Sequence, residues 1–148
     1  MAVVRVQEGA FDAGAEIAGV GGEGVGGVGC FVGVVRGEGV RALTLEHYPG
    51  MTERAMAGIA AEAERRWGLS GCVLVHRVGR LLPGEGIVLV VAASAHRAAA
   101  LEAVAFLIDW LKTRAPFWKR EERDGGVAWV AARAGDEAAA ARWEPGGG

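Results

Sequence analysis

The chain is poor in the residues that build covalent or metal-held frameworks. Its 148 residues hold two cysteines, Cys30 and Cys72. They sit alone inside strand-like runs, too isolated for a disulfide scaffold or a zinc cluster. They read as small buried hydrophobes. There are three histidines, His47, His76 and His96, and nothing pairs them at metal-ligand spacing, so no metal is expected. His47, Tyr48 and His76 read as structural. No uninterrupted apolar run is long enough to span a bilayer. Met1 to Glu8 lack the basic start and apolar core of a signal peptide. A formal net charge of -2 gives no general affinity for nucleic acid or membrane, and no basic stripe with interleaved aromatics suggests RNA binding. No nucleophilic serine or cysteine signature is present. A cytoplasmic location follows from these absences.

Glycine, by contrast, is abundant, with 25 residues. The run from Gly19 to Gly29 could pass for a phosphate loop. It lacks the Gly-Lys-Ser/Thr ending and has no strand leading into it, so it reads as a flexible connection. Hydrophobic residues make up 51% of the chain, enough for the core of one domain. The domain is assigned to residues 1–143, with 144–148 as a flexible glycine-rich tail.

Periodicity predicts the elements. Val3 to Gln7 reads as a strand, and Phe11 to Val20 as a short helix capped by Asp12. Val28 to Val35 reads as a buried strand, with Val40 to His47 as its partner across the Arg36–Gly39 turn. Thr52 caps a helix to Trp67 that buries Met56, Ile59, Ala60 and Ala63. Gly71 to Val78 and Ile87 to Ala93 are strands. Ser94 caps a helix to about Arg114. Phe117 to Glu122 and Val127 to Ala132 form a C-terminal hairpin, and Asp136 caps a last helical turn through Trp143. Adjacent strands with two principal helices give an α+β fold with mixed, largely antiparallel sheets.

The densest run of chemistry is Leu111-Lys112-Thr113-Arg114-Ala115-Pro116-Phe117-Trp118-Lys119-Arg120-Glu121. Proline disfavours helix in the residue before it, so the helix ends near Ala115 and a strand begins. Lys112 and Lys119 therefore meet at a bend from different elements. On the preceding helix, Leu101, Ala105 and Ile108 share one face, with Arg97 and Lys112 at its two ends. These two charges either snorkel at a core edge or line a pocket mouth. A partly desolvated lysine there would exchange protons near neutrality. His96 and Arg97 occupy the helix start, where backbone N–H groups favour an anion, or else merely flank the cap. Alternation puts Phe117, Lys119 and Glu121 on one strand face. Lys119 with Glu121 is an acid–base pair or an ordinary ion pair. Arg36 and Arg133 end apolar strands at turns, where functional side chains are common. The sum is a lysine-centred cationic site for a phosphorylated or carboxylated substrate. An enzyme and a non-catalytic anionic-ligand-binding or docking module both fit that description.

Phe31-Val-Gly-Val-Val-Arg36, Leu43-Thr-Leu-Glu-His-Tyr-Pro-Gly-Met51, His76-Arg-Val-Gly79, Ser94-Ala-His-Arg97 and Leu111 to Glu121 together resemble the large, catalytic subunit of molybdopterin synthase. They span most of the chain in the family's order, and two of them are long and specific. The resemblance implies an α/β-hammerhead-like fold with an added antiparallel sheet. It implies a sulfurtransferase of molybdenum cofactor biosynthesis, converting cyclic pyranopterin monophosphate to molybdopterin by installing a dithiolene. It implies no cofactor, the sulfur arriving as a thiocarboxylate on the C-terminal Gly-Gly of a ubiquitin-like small subunit. It implies a homodimer within a heterotetramer. By the same resemblance Lys112 and Lys119 are catalytic. Arg36, His96, Arg97 and Arg133 bind the pterin and phosphate, with Arg133 a residue the neighbouring subunit could lend. Phe31 and Glu121 shape the pocket. Val34 stands where some members carry a basic residue, and the Arg36–Gly39 turn is shorter than in many relatives. The tail Pro145 to Gly148 invites the rival idea of a sulfur carrier, which the length and the catalytic-subunit motifs oppose.

Overall fold

The computed structural model describes residues 2–130 and 134–145. In chain order the elements are β1 (Val3–Gln7), α1 (Ala13–Gly19), β2 (Gly27–Val34), β3 (Ala42–His47), α2 (Met51–Trp67) and β4 (Gly71–Arg77). There follow β5 (Gly79–Leu81), β6 (Gly86–Ser94), α3 (Arg97–Arg114), β7 (Phe117–Arg123), β8 (Gly126–Val130) and α4 (Ala134–Ala141). They form two four-stranded sheets, β1-β4-β6-β2 and β5-β3-β7-β8. Only β1 and β4 run parallel among the described pairs. This is the mixed, largely antiparallel α+β architecture expected.

The amphipathic pattern decides the layers. On one face of the first sheet, Met56, Ile59, Ala60 and Ala63 of α2 pack with Leu74, Val90 and the Phe106 and Leu107 of α3. On the other face Val73, Val75, Leu89 and Val91 meet Phe11, Ile17 and Val20 around α1. A smaller cluster of Val35, Leu43, Leu45, Val78 and Leu81 joins the second sheet to the first.

Several expectations fail for identifiable reasons. β2 and β3 are not partners. β2 pairs with β6, while β3 pairs with β5 and β7 in the other sheet. Strand pairing is a tertiary choice that a short turn alone does not set. β2 is also an edge strand, so its outward face is open and Cys30 is exposed, whereas Cys72 is buried. The helix after Tyr48 starts at Met51 and is N-capped by Gly50, whose φ of 85° places it where glycine is favoured. Glu53 accepts from the Gly50 N–H at 3.0 Å. Thr52 has another task. Its Oγ1 accepts from the Tyr48 N–H at 3.0 Å and donates to the Pro116 carbonyl at 2.9 Å, tying the start of α2 to the bend between α3 and β7. Ser94 is the buried last residue of β6 and His96 takes the N-cap position of α3. The glycine-rich run is flexible connection only in part, because Gly27 and Gly29 are built into β2. At the other end, Glu144 pairs with Arg114, which leaves the assignment of 144–148 as a tail where it stood. Gly146 to Gly148 lie outside the described residues.

Candidate active site

Three local rules bring the cleft residues together. Pro116 ends α3, with Ala115 already extended at ψ 128°, so Lys112 stands on the last helical turn and β7 begins one residue after the proline. Strand alternation then turns Phe117, Lys119 and Glu121 to the same side of β7. Register does the rest. β7 pairs with β3 so that Lys119 lies opposite Leu45 and Glu121 opposite Leu43, which sets that face towards the end of α3.

Between α3, β7 and the edge strand β2 lies a cleft of about 470 Å³. Phe31, Arg36, Lys112, Lys119 and Glu121 all line it. Five of the eight residues singled out in the sequence therefore share one hollow. Arg36, Lys112 and Lys119 supply its positive charge. The Glu121 carboxylate accepts from Arg123 Nε at 2.9 Å, so its negative charge is partly offset from the hairpin itself. The sequence leaves open whether Lys112 is partly desolvated; the residue is exposed.

His96 and Arg97 are not in this cleft. They stand at the opposite end of α3, fifteen residues and hence about 22 Å of helix away from Lys112. The face inferred from Leu101, Ala105 and Ile108 is rotated from the true one. Ala100, Ala103, Val104, Leu107 and Leu111 are buried, whereas Leu101 is 62% exposed. Arg97 and Lys112 thus flank the packed face at its two ends and do not converge within one chain. Arg133 lies outside the described residues.

Two residues that sequence reasoning missed also line the cleft, His76 and Asp136. Asp136 comes from α4, which is carried to the site by its docking on α3, where Trp110 Nε1 donates to the Ala140 carbonyl at 3.2 Å. His76 is the penultimate residue of β4, on the α2–α3 side of the sheet. Its ring stacks on Phe117 with centroids 3.7 Å apart and planes 17° from parallel. Alternation from Cys72 and Leu74 was the available signal that His76 faces inward; the stack itself is visible only in three dimensions.

Burial pushes the His76 imidazole down to about 4, with the Lys119 and His47 charges acting in the same direction, against the hydrogen bond to Arg77. The unfolded chain would titrate near the ordinary 6.5. Between those values the unfolded state binds the extra proton, so stability is retained above the unfolded value and declines as pH falls towards 4. The expected loss from this residue is on the order of 3 kcal/mol. Urea unfolding of wild type and His76→Phe at pH 7.5 and pH 4.5 measures it. The same pH dependence in both proteins would remove His76 as its source.

The fold and the cleft define a two-sheet α+β protein with an anion-receptive hollow centred on lysines. The family model described as MoaE protein matches residues 6–114, and the chain belongs to that family. The molybdopterin synthase catalytic subunit of Pseudomonas aeruginosa is 53% identical over 147 residues, covering 95% of this chain and 98% of that protein. The molybdopterin biosynthesis MoaE protein of Burkholderia ambifaria superposes with a TM-score of 0.85 at 50% identity, over 97% of this chain and 98% of that one. The molybdopterin synthase structure from Staphylococcus aureus gives a TM-score of 0.80 at 30% identity, over 85% and 95%.

Proposed function

We propose that this chain is the catalytic subunit of a molybdopterin synthase, turning cyclic pyranopterin monophosphate into molybdopterin with sulfur from a thiocarboxylated small subunit. The observation that carries the reading is the convergence of Lys112, Lys119 and Arg36 on one cleft. Membership of the MoaE family, with relatives named as catalytic subunits of this enzyme, supports it.

Arg36 grips the substrate phosphate, and the positive field of the cleft draws in the carrier's thiocarboxylate. The thiocarboxylate sulfur attacks an oxygen-bearing side-chain carbon of the pterin; the C–S bond forms as that carbon's C–O bond breaks and the oxygen leaves as water after taking up a proton, so carrier and substrate are joined as a thioester. Water adds to the thioester carbonyl, the acyl C–S bond breaks, and the carrier leaves as a carboxylate while sulfur stays on the pterin. Lys112 stabilises the negative charge that develops and hands on the proton; Lys119 assists from the facing strand. A second charged carrier completes the dithiolene. No cofactor is required in this scheme.

The partner is a ubiquitin-like protein ending in Gly-Gly, and the catalytic chains pair as a homodimer within a heterotetramer. His96 and Arg97 are too distant to serve the cleft of their own chain, so in this reading they and Arg133 act at the cleft of the second copy. The cytoplasm is the proposed location; no helix among the described residues is long and apolar enough to cross a membrane.

Mixing the purified chain with a thiocarboxylated small subunit and the cyclic pterin tests the proposal. Dithiolene formation is expected. Pterin binding without sulfur incorporation would mark a non-catalytic binding module instead. In the same assay Arg36→Ala should raise KM roughly tenfold to hundredfold, the worth of a hydrogen bond to a charged group. An unchanged KM would place the phosphate elsewhere.

A further inference from the structure

The cleft is rich in donors. Arg36, Lys112 and Lys119 offer N–H groups, as a phosphate and a thiocarboxylate require. The reaction outlined above makes no use of His76, yet this side chain also lines the cleft.

His76 is 8% exposed. Its Nδ1 lies 2.9 Å from the Arg77 carbonyl oxygen. A carbonyl only accepts, so Nδ1 carries the proton and Nε2 presents a lone pair. No buried side-chain nitrogen or oxygen among the described residues lacks a hydrogen-bond partner, and Nε2 has no such partner among them. The residue lines the cleft, on which Nε2 is the ring nitrogen left to face a ligand. Stacking on Phe117 fixes the ring plane. Among the described residues, the ionisable groups that share the cleft with it are Lys119 and Glu121 on β7, Lys112 on α3, Asp136 on α4 and Arg36 after β2, and the His47 charge on β3 also acts on it. A carboxylate in the same place would pair with these cations and compete with the substrate's phosphate. A neutral imidazole accepts without neutralising them.

We propose that His76 Nε2 is the acceptor subsite of the cleft, taking a hydrogen bond from a neutral N–H or O–H of the bound substrate. The inference rests on the reading that the cleft holds a pterin, whose ring system carries N–H donors. The cations then hold the phosphate end, and His76 with Phe117 orients the heterocycle. The subsite favours ligands that present a donor there over analogues that present an acceptor.

Two substitutions separate the stack from the acceptor. His76→Phe keeps an aromatic ring against Phe117 and removes Nε2. His76→Gln gives up the ring and restores an acceptor near the same position. Titration calorimetry of the cyclic pterin against the full chain reads both. His76→Phe should weaken binding roughly tenfold to hundredfold, and His76→Gln should return it to within about fivefold of wild type. In the reconstituted enzyme the loss in His76→Phe should fall mainly on KM, with kcat reduced less. Wild-type affinity in His76→Phe, or a loss confined to kcat, would overturn the proposal. Should the variants fold poorly, nitrogen-15 NMR of the wild-type chain decides. The Nε2 resonance should move on adding the pterin and stay put with inorganic phosphate; a resonance indifferent to the pterin would equally overturn it. A wild-type protein that binds pterin yet forms no dithiolene would defeat the sulfur-transfer reading alone.

Discussion

Lys112→Ala should lose sulfur transfer by about a hundredfold to ten-thousandfold, the range spanned by removal of a general acid–base or an anion-stabilising group, while the protein stays folded. Stability should hold because the side chain is exposed and its neighbours are not. Leu111 and Ala115, at 6% and 8% exposure, anchor the last turn of α3 in the core, and Thr52 holds the Pro116 carbonyl from α2. The amine can be deleted without disturbing what positions it. If Lys112 acts on the transition state, kcat and kcat/KM should fall together with KM little changed. Lys112→Arg sharpens the assignment. Guanidinium keeps the charge and does not release a proton near neutrality. A protein restored by arginine would need Lys112 only as a charge; one left inactive would need its proton. Near wild-type turnover in Lys112→Ala would end the assignment.

The bend that creates this site was legible because two strong local rules coincide there. Proline stops the helix, and alternation on the following strand selects Phe117, Lys119 and Glu121 without reference to the rest of the chain. The same holds for α2, whose buried Met56, Ile59, Ala60 and Ala63 follow the helical period. What escaped the sequence depended on non-local choices. β2 was given β3 as a partner because a turn separates them, whereas the partner is β6, more than fifty residues later. The facing stripe of α3 was misjudged because the true one is rich in alanine. Ala100 and Ala103 look unremarkable in a sequence, but both are buried, and Ala100 lies against Gly29 of β2, where a Cβ would stand 3.0 Å from its carbonyl oxygen. His76 was passed over as structural for a similar reason. Its neighbour Phe117 is distant in the chain, and neither residue alone suggests a subsite. Periodicity put Arg97 and Lys112 at the two ends of one helix face, and the family resemblance put both in the site; a face fixes direction around the axis and says nothing about distance along it.

That close packing supports the second large effect, a loss of stability in Gly26→Ala. A Cβ at Gly26 would lie 1.9 Å from the Ala95 carbonyl oxygen and 2.9 Å from its carbon. Those are backbone atoms, so no rotamer change relieves the overlap. Moving the strand away breaks the bond from the Gly26 N–H to the Ser94 carbonyl, 2.9 Å long. Moving the loop instead shifts the start of α3, which lies against the same run; a Cβ at Gly27 would stand 3.3 Å from Arg97 Cα, and one at Gly29 would stand 3.0 Å from the Ala100 carbonyl oxygen. The cost of forcing backbone apart in a packed region is roughly 2 to 4 kcal/mol, on the order of 10 °C in melting temperature for a domain of this size. Gly22→Ala is the control, since a Cβ there meets nothing within 4 Å and should alter stability by less than about 0.5 kcal/mol. Thermal unfolding of the two variants beside wild type gives the comparison. Equal melting of Gly26→Ala and wild type would mean that α3 is not seated on β2 through these glycines. A real loss would show that the glycine-rich run is what lets α3 lie flat on the sheet, and hence what sets the distance across the cleft from Phe31 on β2 to Lys112 at the end of the helix.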